Sequence, residues 1–222
     1  MEEITKIEER YESRKKNKKK ENPYFQYYVL SERELIYTKI VNKFWSHKQK
    51  ELSILEIGAG VGDNLLFFHR LGIPWKNIYA NELLSDRVEK LKMNLASESS
   101  ILPGNALDLN YENTFDIVLQ STVFTSILDS DFKRELALKM MKMVKKRGII
   151  IWYDFKYNNP DNLDVQGVGK SEIKRLFKEA NKIKFHKVTL APPIGRKVGK
   201  FYNLVNFLFP FLRTHLITII EL

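Results

Sequence analysis

The stretch ELSILEIGAGVGDNLLFFHRLGIP, residues 51–74, decides the fold. Ile54, Leu55 and Ile57 make a short apolar strand. Gly58, Gly60 and Gly62 then form a turn, since glycine allows a tight backbone and lets it approach a ligand without a Cβ clash. Residues 64–71 read as a helix, stopped by Gly72 and Pro74. This is one strand–turn–helix unit, with Glu56 two positions before the first glycine.

The same pattern repeats outward. Strands are expected at 78–80, 100–102, 115–119, 148–153, 185–190 and 214–222, the last rich in β-branched residues. Helices are expected at 85–95, 131–144 and 171–180. Upstream, Ser31 and Glu34 have capping-box spacing, and Ile36, Ile40 and Phe44 repeat every four residues, so a helix should start there. Alternating strands and helices imply an α/β fold, a parallel sheet covered on both faces. Ligands bind such sheets at the carboxyl ends of the strands. No repeat or linker divides the chain. We expect a basic N-terminal arm at 1–22, in which RKKNKKK (14–20) is a frayed helix end or disordered arm. A single domain should follow at 23–222, with a helical lid at about 23–50, a core at about 51–155 and a substrate side at about 156–222.

Composition narrows the chemistry. The 222 residues are 44% hydrophobic and 29% charged, enough for a real core. The absence of cysteine excludes disulfides, Cys-ligated zinc, iron–sulfur clusters and thiolate nucleophiles. Four scattered histidines, His47, His69, His186 and His215, give no zinc-type spacing, so no metal is expected. The first twenty residues mix charges and lack a signal-peptide core, and Asn203, Asn206, Pro210 and Arg213 break the most apolar C-terminal span. A cytoplasmic protein without a transmembrane segment is expected. The net charge of +10 is uneven: residues 165–200 hold ten Lys/Arg against two Glu. The basic stretch 170–200 either attracts a phosphorylated, nucleotide-linked or lipid-linked glycan, an acidic membrane surface or RNA, or is a solvated face. The apolar run 201–209 is read as a helix lying on the sheet, the alternative being a cap over a lipid-linked acceptor.

The second strand ends at Glu82, where a carboxylate can accept both hydroxyls of a ribose. The glycines are spaced G-x-G-x-G, which does not fit the G-x-G-x-x-G of dinucleotide folds. With Glu56 before them they resemble motif I of the class I S-adenosylmethionine-dependent methyltransferases. Glu82, Gly104-Asn105-Ala106 (with Asn where Asp is usual), FDIVLQSTVF at 115–124 and MVKKRGIIIWYD at 143–154 resemble the later motifs in order. The resemblance implies a Rossmann-like, doubly wound sheet of seven strands, mostly parallel with an antiparallel last strand. It implies S-adenosyl-L-methionine as cofactor. Gly58 and Gly60 would pack against its methionine part, which Glu56 would help to orient, with Ala59, Gly62 and Asn64 also among the cofactor-binding residues. Glu82 would hold the ribose, Asn105, Ala106 and Leu107 would flank the adenine, and Gln120 would lie near the methionine end and the substrate.

Acceptor classes are partly separable. The place after strand four reads Gln120-Ser121-Thr122-Val123-Phe124, not the Asn/Asp-Pro-Pro-aromatic of nucleic-acid amino-methyltransferases. Methylation through a Cys adduct is excluded. Residues 153–168, 172–177, 188–196 and 211–215, with NPYFQYYVLSERE at 22–34, resemble methyltransferases of bacterial surface-polysaccharide gene clusters. That implies O-methylation of a saccharide or other small molecule. Asp154, Tyr153 and Asn158, beside Tyr157 and Asn159, are candidates to bind or deprotonate an acceptor hydroxyl, the alternative being a hydrogen-bonded loop. Tyr28 and Arg33, with Tyr24 and Tyr27, form either a lid over the cofactor or ordinary helix packing. The rival functions are an RNA or protein methyltransferase and a non-catalytic partner protein.

Overall fold

The computed structural model describes residues 2–16, 22–159 and 162–222. In chain order its longer elements are α1 (Glu2–Lys16), α2 (Pro23–Trp45), β1 (Ile54–Ile57), α3 (Asp63–Arg70), β2 (Ile78–Glu82), α4 (Ser85–Asn94), β3 (Ser100–Pro103) and β4 (Phe115–Ser121). They continue as α5 (Ser130–Met143), β5 (Val144–Phe155), α6 (Lys170–Leu176), β6 (Lys182–Leu190), α7 (Pro192–Val198), α8 (Tyr202–Leu208) and β7 (Arg213–Glu221). The strands form one seven-stranded sheet in the order β3-β2-β1-β4-β5-β7-β6. β1 to β5 pair in parallel, and β7 runs antiparallel to both of its neighbours. The chain therefore has the Rossmann-like α/β architecture expected from sequence, including the antiparallel strand.

Side chains alternate across the sheet and feed two cores. Ile149, Ile151 and Tyr153 of β5 face the side covered by Tyr37 and Ile40 of α2 and by Leu65 and Phe68 of α3. Ile150 and Trp152 face the other side, covered by Leu136 and Met140 of α5 and by Ile173 and Phe177 at α6. All four residues of β1 are buried, as a central parallel strand requires.

Several boundaries differ from the sequence reading. α2 begins at Pro23, not at Ser31, which lies inside the helix. The cap is Asn22, whose Oδ1 accepts from the N–H groups of Tyr24 (3.0 Å) and Phe25 (3.2 Å), with Pro23 fixing the first turn. β5 starts at Val144, four residues early, because the strand passes through an irregularity where Arg147 takes a positive φ of 71°. The run 201–209 does not lie with its apolar side on the sheet: α8 buries Tyr202 and Asn206 and leaves Leu204, Phe207 and Leu208 exposed. Residues 2–16 of the expected arm are helix α1, with Ile7 buried in the second core. Most of the basic run 14–20 lies outside the described residues.

Replacing the α2 cap tests this boundary. Asn22→Ala should lower stability by about 1 kcal/mol, measured by denaturant unfolding, whereas Ser31→Ala should leave it nearly unchanged.

Candidate functional site

A cavity of about 660 Å³ opens at the carboxyl ends of β1, β2 and β4, a volume suited to a cofactor-sized ligand. Its floor is the glycine turn. Gly58 (φ 66°), Gly60 (φ 63°) and Gly62 (φ 95°) all take left-handed backbone. A Cβ on Gly58 would stand 2.6 Å from Val123 Cγ2, so the loop after β4 closes down on this glycine. Nothing lies within 4 Å of a Cβ on Gly60, which leaves its backbone open toward the cavity.

Glu82 pins this floor. Gly60 N–H donates to its Oε2 (2.7 Å) and Leu84 N–H to its Oε1 (2.9 Å). Glu56 lies across the cavity, fully buried. Asn64 Nδ2 donates to its Oε1 (2.6 Å), while its Oε2 is buried without a hydrogen-bond partner. Burial pushes the Glu56 carboxyl up to about 8, so it holds its proton at neutral pH. Arg33, from α2, is buried beside it. Its Nη1 donates to Ser121 Oγ (3.0 Å), its guanidinium lies 4.6 Å from the centre of the Tyr153 ring, and its Nε has no partner. Two buried polar atoms of opposite character are thus left open on groups that line one cavity.

The sequence candidates divide. Arg33, Glu56, Gly58, Ala59, Gly60, Asn64 and Glu82 line the cavity. Gly62, Asn105, Ala106, Leu107, Gln120 and Tyr28 do not. Gly62 packs toward Leu91 and Leu95. Asn105 Oδ1 accepts from Leu107 N–H (3.1 Å), which shapes the turn after β3. Gln120 is fully buried, its Oε1 accepting from Val123 N–H (3.0 Å). Tyr28 stacks on Tyr202, with ring centres 5.2 Å apart. Tyr24 and Tyr27 are exposed.

The three acceptor-side candidates are also engaged elsewhere. The Tyr153 hydroxyl shares a hydrogen bond with Thr189 Oγ1 (3.1 Å). Asp154 is buried on the opposite face of β5, where Thr125 donates from Oγ1 (2.6 Å) and from its N–H (3.2 Å). Burial pushes its carboxyl up to about 7. Asn158 Oδ1 accepts from Gly167 N–H (2.9 Å) in a loop. None of the three lines the cavity.

Other lining residues were not singled out by sequence. Ser121, Thr122 and Ser126 follow β4, and Thr122 takes a strained φ of 59° at the strand end. Ile7 and Tyr11 of α1 close the cavity from above. Arg10 Nη2 donates to Ser126 O (3.0 Å), the Tyr11 hydroxyl meets Ser126 Oγ (3.1 Å), and Arg87 lies over the Tyr11 ring. No local motif announces these contacts, which join α1 to residues more than seventy positions away.

The raised Glu56 value has a direction that can be checked. The folded carboxyl binds its proton more tightly than the unfolded one, so its contribution to stability is greatest below 4.5 and falls as pH rises toward about 8. Glu56→Gln removes that loss. The melting temperature of the Gln variant should match the parent near pH 4 and exceed it at pH 8 in ligand-free protein, by thermal denaturation.

Comparison with known proteins accords with this geometry. Residues 55–152 match the family described as "Methyltransferase domain". No curated protein matches the chain in sequence. Among solved structures, a SAM-dependent methyltransferase from Archaeoglobus fulgidus aligns over 90% of this chain and 100% of its own, with 14% identity and a TM-score of 0.58. One from Methanosarcina mazei aligns over 82% and 97%, with 13% identity and a TM-score of 0.58. One from Mesorhizobium loti aligns over 77% and 91%, with 11% identity and a TM-score of 0.59. Residues 55–152, which contain the glycine turn, Glu56 and Glu82, thus match the methyltransferase-domain family, and the chain shares its fold with these solved methyltransferases.

Proposed function

We propose that the protein O-methylates a saccharide or another hydroxyl-bearing small molecule. The observation that carries this reading is the lining beyond the glycine turn: Ser121, Thr122 and Ser126 line the cavity at the end of β4, their hydroxyls held by Arg33, by the Ser121 carbonyl and by Tyr11 respectively. Hydroxyls both donate and accept, which suits a polyol acceptor. The resemblance of 153–168, 188–196 and 211–215 to methyltransferases of surface-polysaccharide gene clusters supports the same class. In this reading the chain works in the cytoplasm, where activated sugars are made.

The residues present fit the cofactor. The open backbone at Gly60 admits its methionine part. The ammonium of that part would favour the ionised form of Glu56, whose unpartnered Oε2 would then accept from it, while the unpartnered Arg33 Nε would donate to the carboxylate. The Glu82 oxygens, each with one backbone donor, retain lone pairs for the ribose hydroxyls. Asn105, Ala106 and Leu107 form the turn beside the adenine side in this reading. When bound, the cofactor supplies an electrophilic methyl group on a sulfonium. The chain's own work is to hold the acceptor oxygen in line and to exclude water. Arg33 holds Ser121, and Gln120 holds the backbone of Val123. Asp154 acts through Thr125 as a positioning residue for the 122–126 loop, not as a base.

Glu82→Ala should weaken binding of S-adenosylhomocysteine by about 10- to 100-fold, the effect of losing hydrogen bonds to a charged group, measured by titration calorimetry. Unchanged affinity would remove the ribose role. The acceptor class is tested with cofactor labelled on its methyl group, offered with sugar nucleotides, glycans, RNA and proteins. Label in a saccharide supports the proposal. Label in RNA, lost as salt rises, or in protein would replace it. Cofactor binding without transfer to any acceptor would favour a non-catalytic partner.

A further inference from the structure

Helix α8 is turned inside out for a surface helix. Tyr202 and Asn206 face the protein: Asn206 Nδ2 donates to Glu32 Oε1 (2.8 Å) and the Tyr202 hydroxyl to Glu32 Oε2 (3.2 Å). Its apolar side chains face outward. Phe207 is 77% exposed and Leu204 and Leu208 54% each, and the patch continues through Phe201, Phe209 and Phe211, the last 70% exposed. A surface helix normally buries its apolar stripe, and a contiguous exposed patch of this kind marks an interaction surface.

The charge around the patch selects the partner. Between Lys187 and Ile220 the sequence contains no Asp or Glu, while Lys187, Arg196, Lys197, Lys200 and Arg213 are basic. Lys182 and Lys184 lie at the far end of β6, where Lys184 pairs with Glu221 (2.8 Å). Lys200 Nζ lies 5.4 Å from the centre of the Phe201 ring, so cations border the aromatic groups directly. The carboxylate beneath α8, Glu32, is turned inward by Tyr202, Asn206 and the Thr189 N–H. Aromatic and leucine side chains rimmed by lysine and arginine, without acidic residues, match the interfacial region of a negatively charged bilayer.

We propose that the face formed by α7, α8 and residues 209–211 docks the protein onto an anionic lipid surface. The segment joins the end of β6 to the start of β7, so it lies at the sheet edge on which the cavity opens. Among the described residues no helix is long and apolar enough to cross a membrane. The contact is therefore proposed to be peripheral. It does not depend on the identity of the methyl acceptor.

The test is flotation of the full chain with vesicles of phosphatidylcholine alone and of equal parts phosphatidylcholine and phosphatidylglycerol. We expect at least a tenfold preference for the anionic vesicles, reduced by added salt. Phe207→Asp with Phe211→Asp should abolish binding, and its melting temperature should stay at the parent value because both sites are exposed. Lys197→Glu with Lys200→Glu should weaken binding on the order of 25-fold or more, at about fivefold per basic residue lost. Equal binding to both vesicles, no binding, or indifference to the Phe substitutions would overturn the proposal. So would concentration-dependent dimerisation in sedimentation velocity that the Phe substitutions abolish, since the patch would then seat a second copy.

Discussion

Glu82 ends β2 with one carboxylate oxygen on the N–H of Gly60 and the other on the N–H of Leu84. Around it, Ala59 N–H donates to Asn81 O (2.8 Å), Gly104 N–H donates to Glu82 O (2.9 Å), and Asn81 Nδ2 bridges Leu102 O and Gly104 O. The ends of three neighbouring strands are thus laced together at one point. A backbone turn with three left-handed glycines has many alternatives in an unfolded chain, and this lacing selects one of them. The carboxylate that would meet a ribose is also a member of the frame. In the proposed reading, binding chemistry and architecture share the same atoms, so the site is formed before any ligand arrives.

The pleat of β5 explains why two adjacent candidates end up in different surroundings. Tyr153 points to the face covered by α2, beneath Arg33, whereas Asp154 points to the face covered by α5. There Asp154 meets Thr125 and lies in the field of Lys133, itself buried and paired with Glu172 (3.3 Å). Polar groups buried this deeply persist because they are bonded. Their effect is to hold the loop after β4, whose Ser121, Thr122 and Ser126 reach the cavity.

Most strands were legible because strands buried on both faces are largely apolar, as Ile54, Leu55 and Ile57 and the run 148–153 are. The glycine turn and Glu82 were legible because their spacing is local. The start of α2 was misread because Ser31 and Glu34 imitate a cap inside a helix that Asn22 in fact caps. The outward face of α8 was misread because hydrophobicity alone suggests burial, and only the inward bonds of Tyr202 and Asn206 to Glu32 reverse it. The closure of the cavity by α1 was invisible for another reason. It rests on contacts such as Tyr11 with Ser126, which no periodicity encodes.

The strand order β5-β7-β6 places a later segment between two earlier ones. β6 has no sheet partner other than β7, so it cannot join the sheet when it is synthesised. Until 213–221 emerges, β5 presents an open edge and β6 is an unpaired strand of nine residues. On the ribosome strands β1 to β5 can therefore assemble first, through neighbours close in sequence. The β5-β7-β6 edge closes as a separate event, when one strand zips two edges at once. The interval between the two is when the nascent chain is most exposed to mispairing.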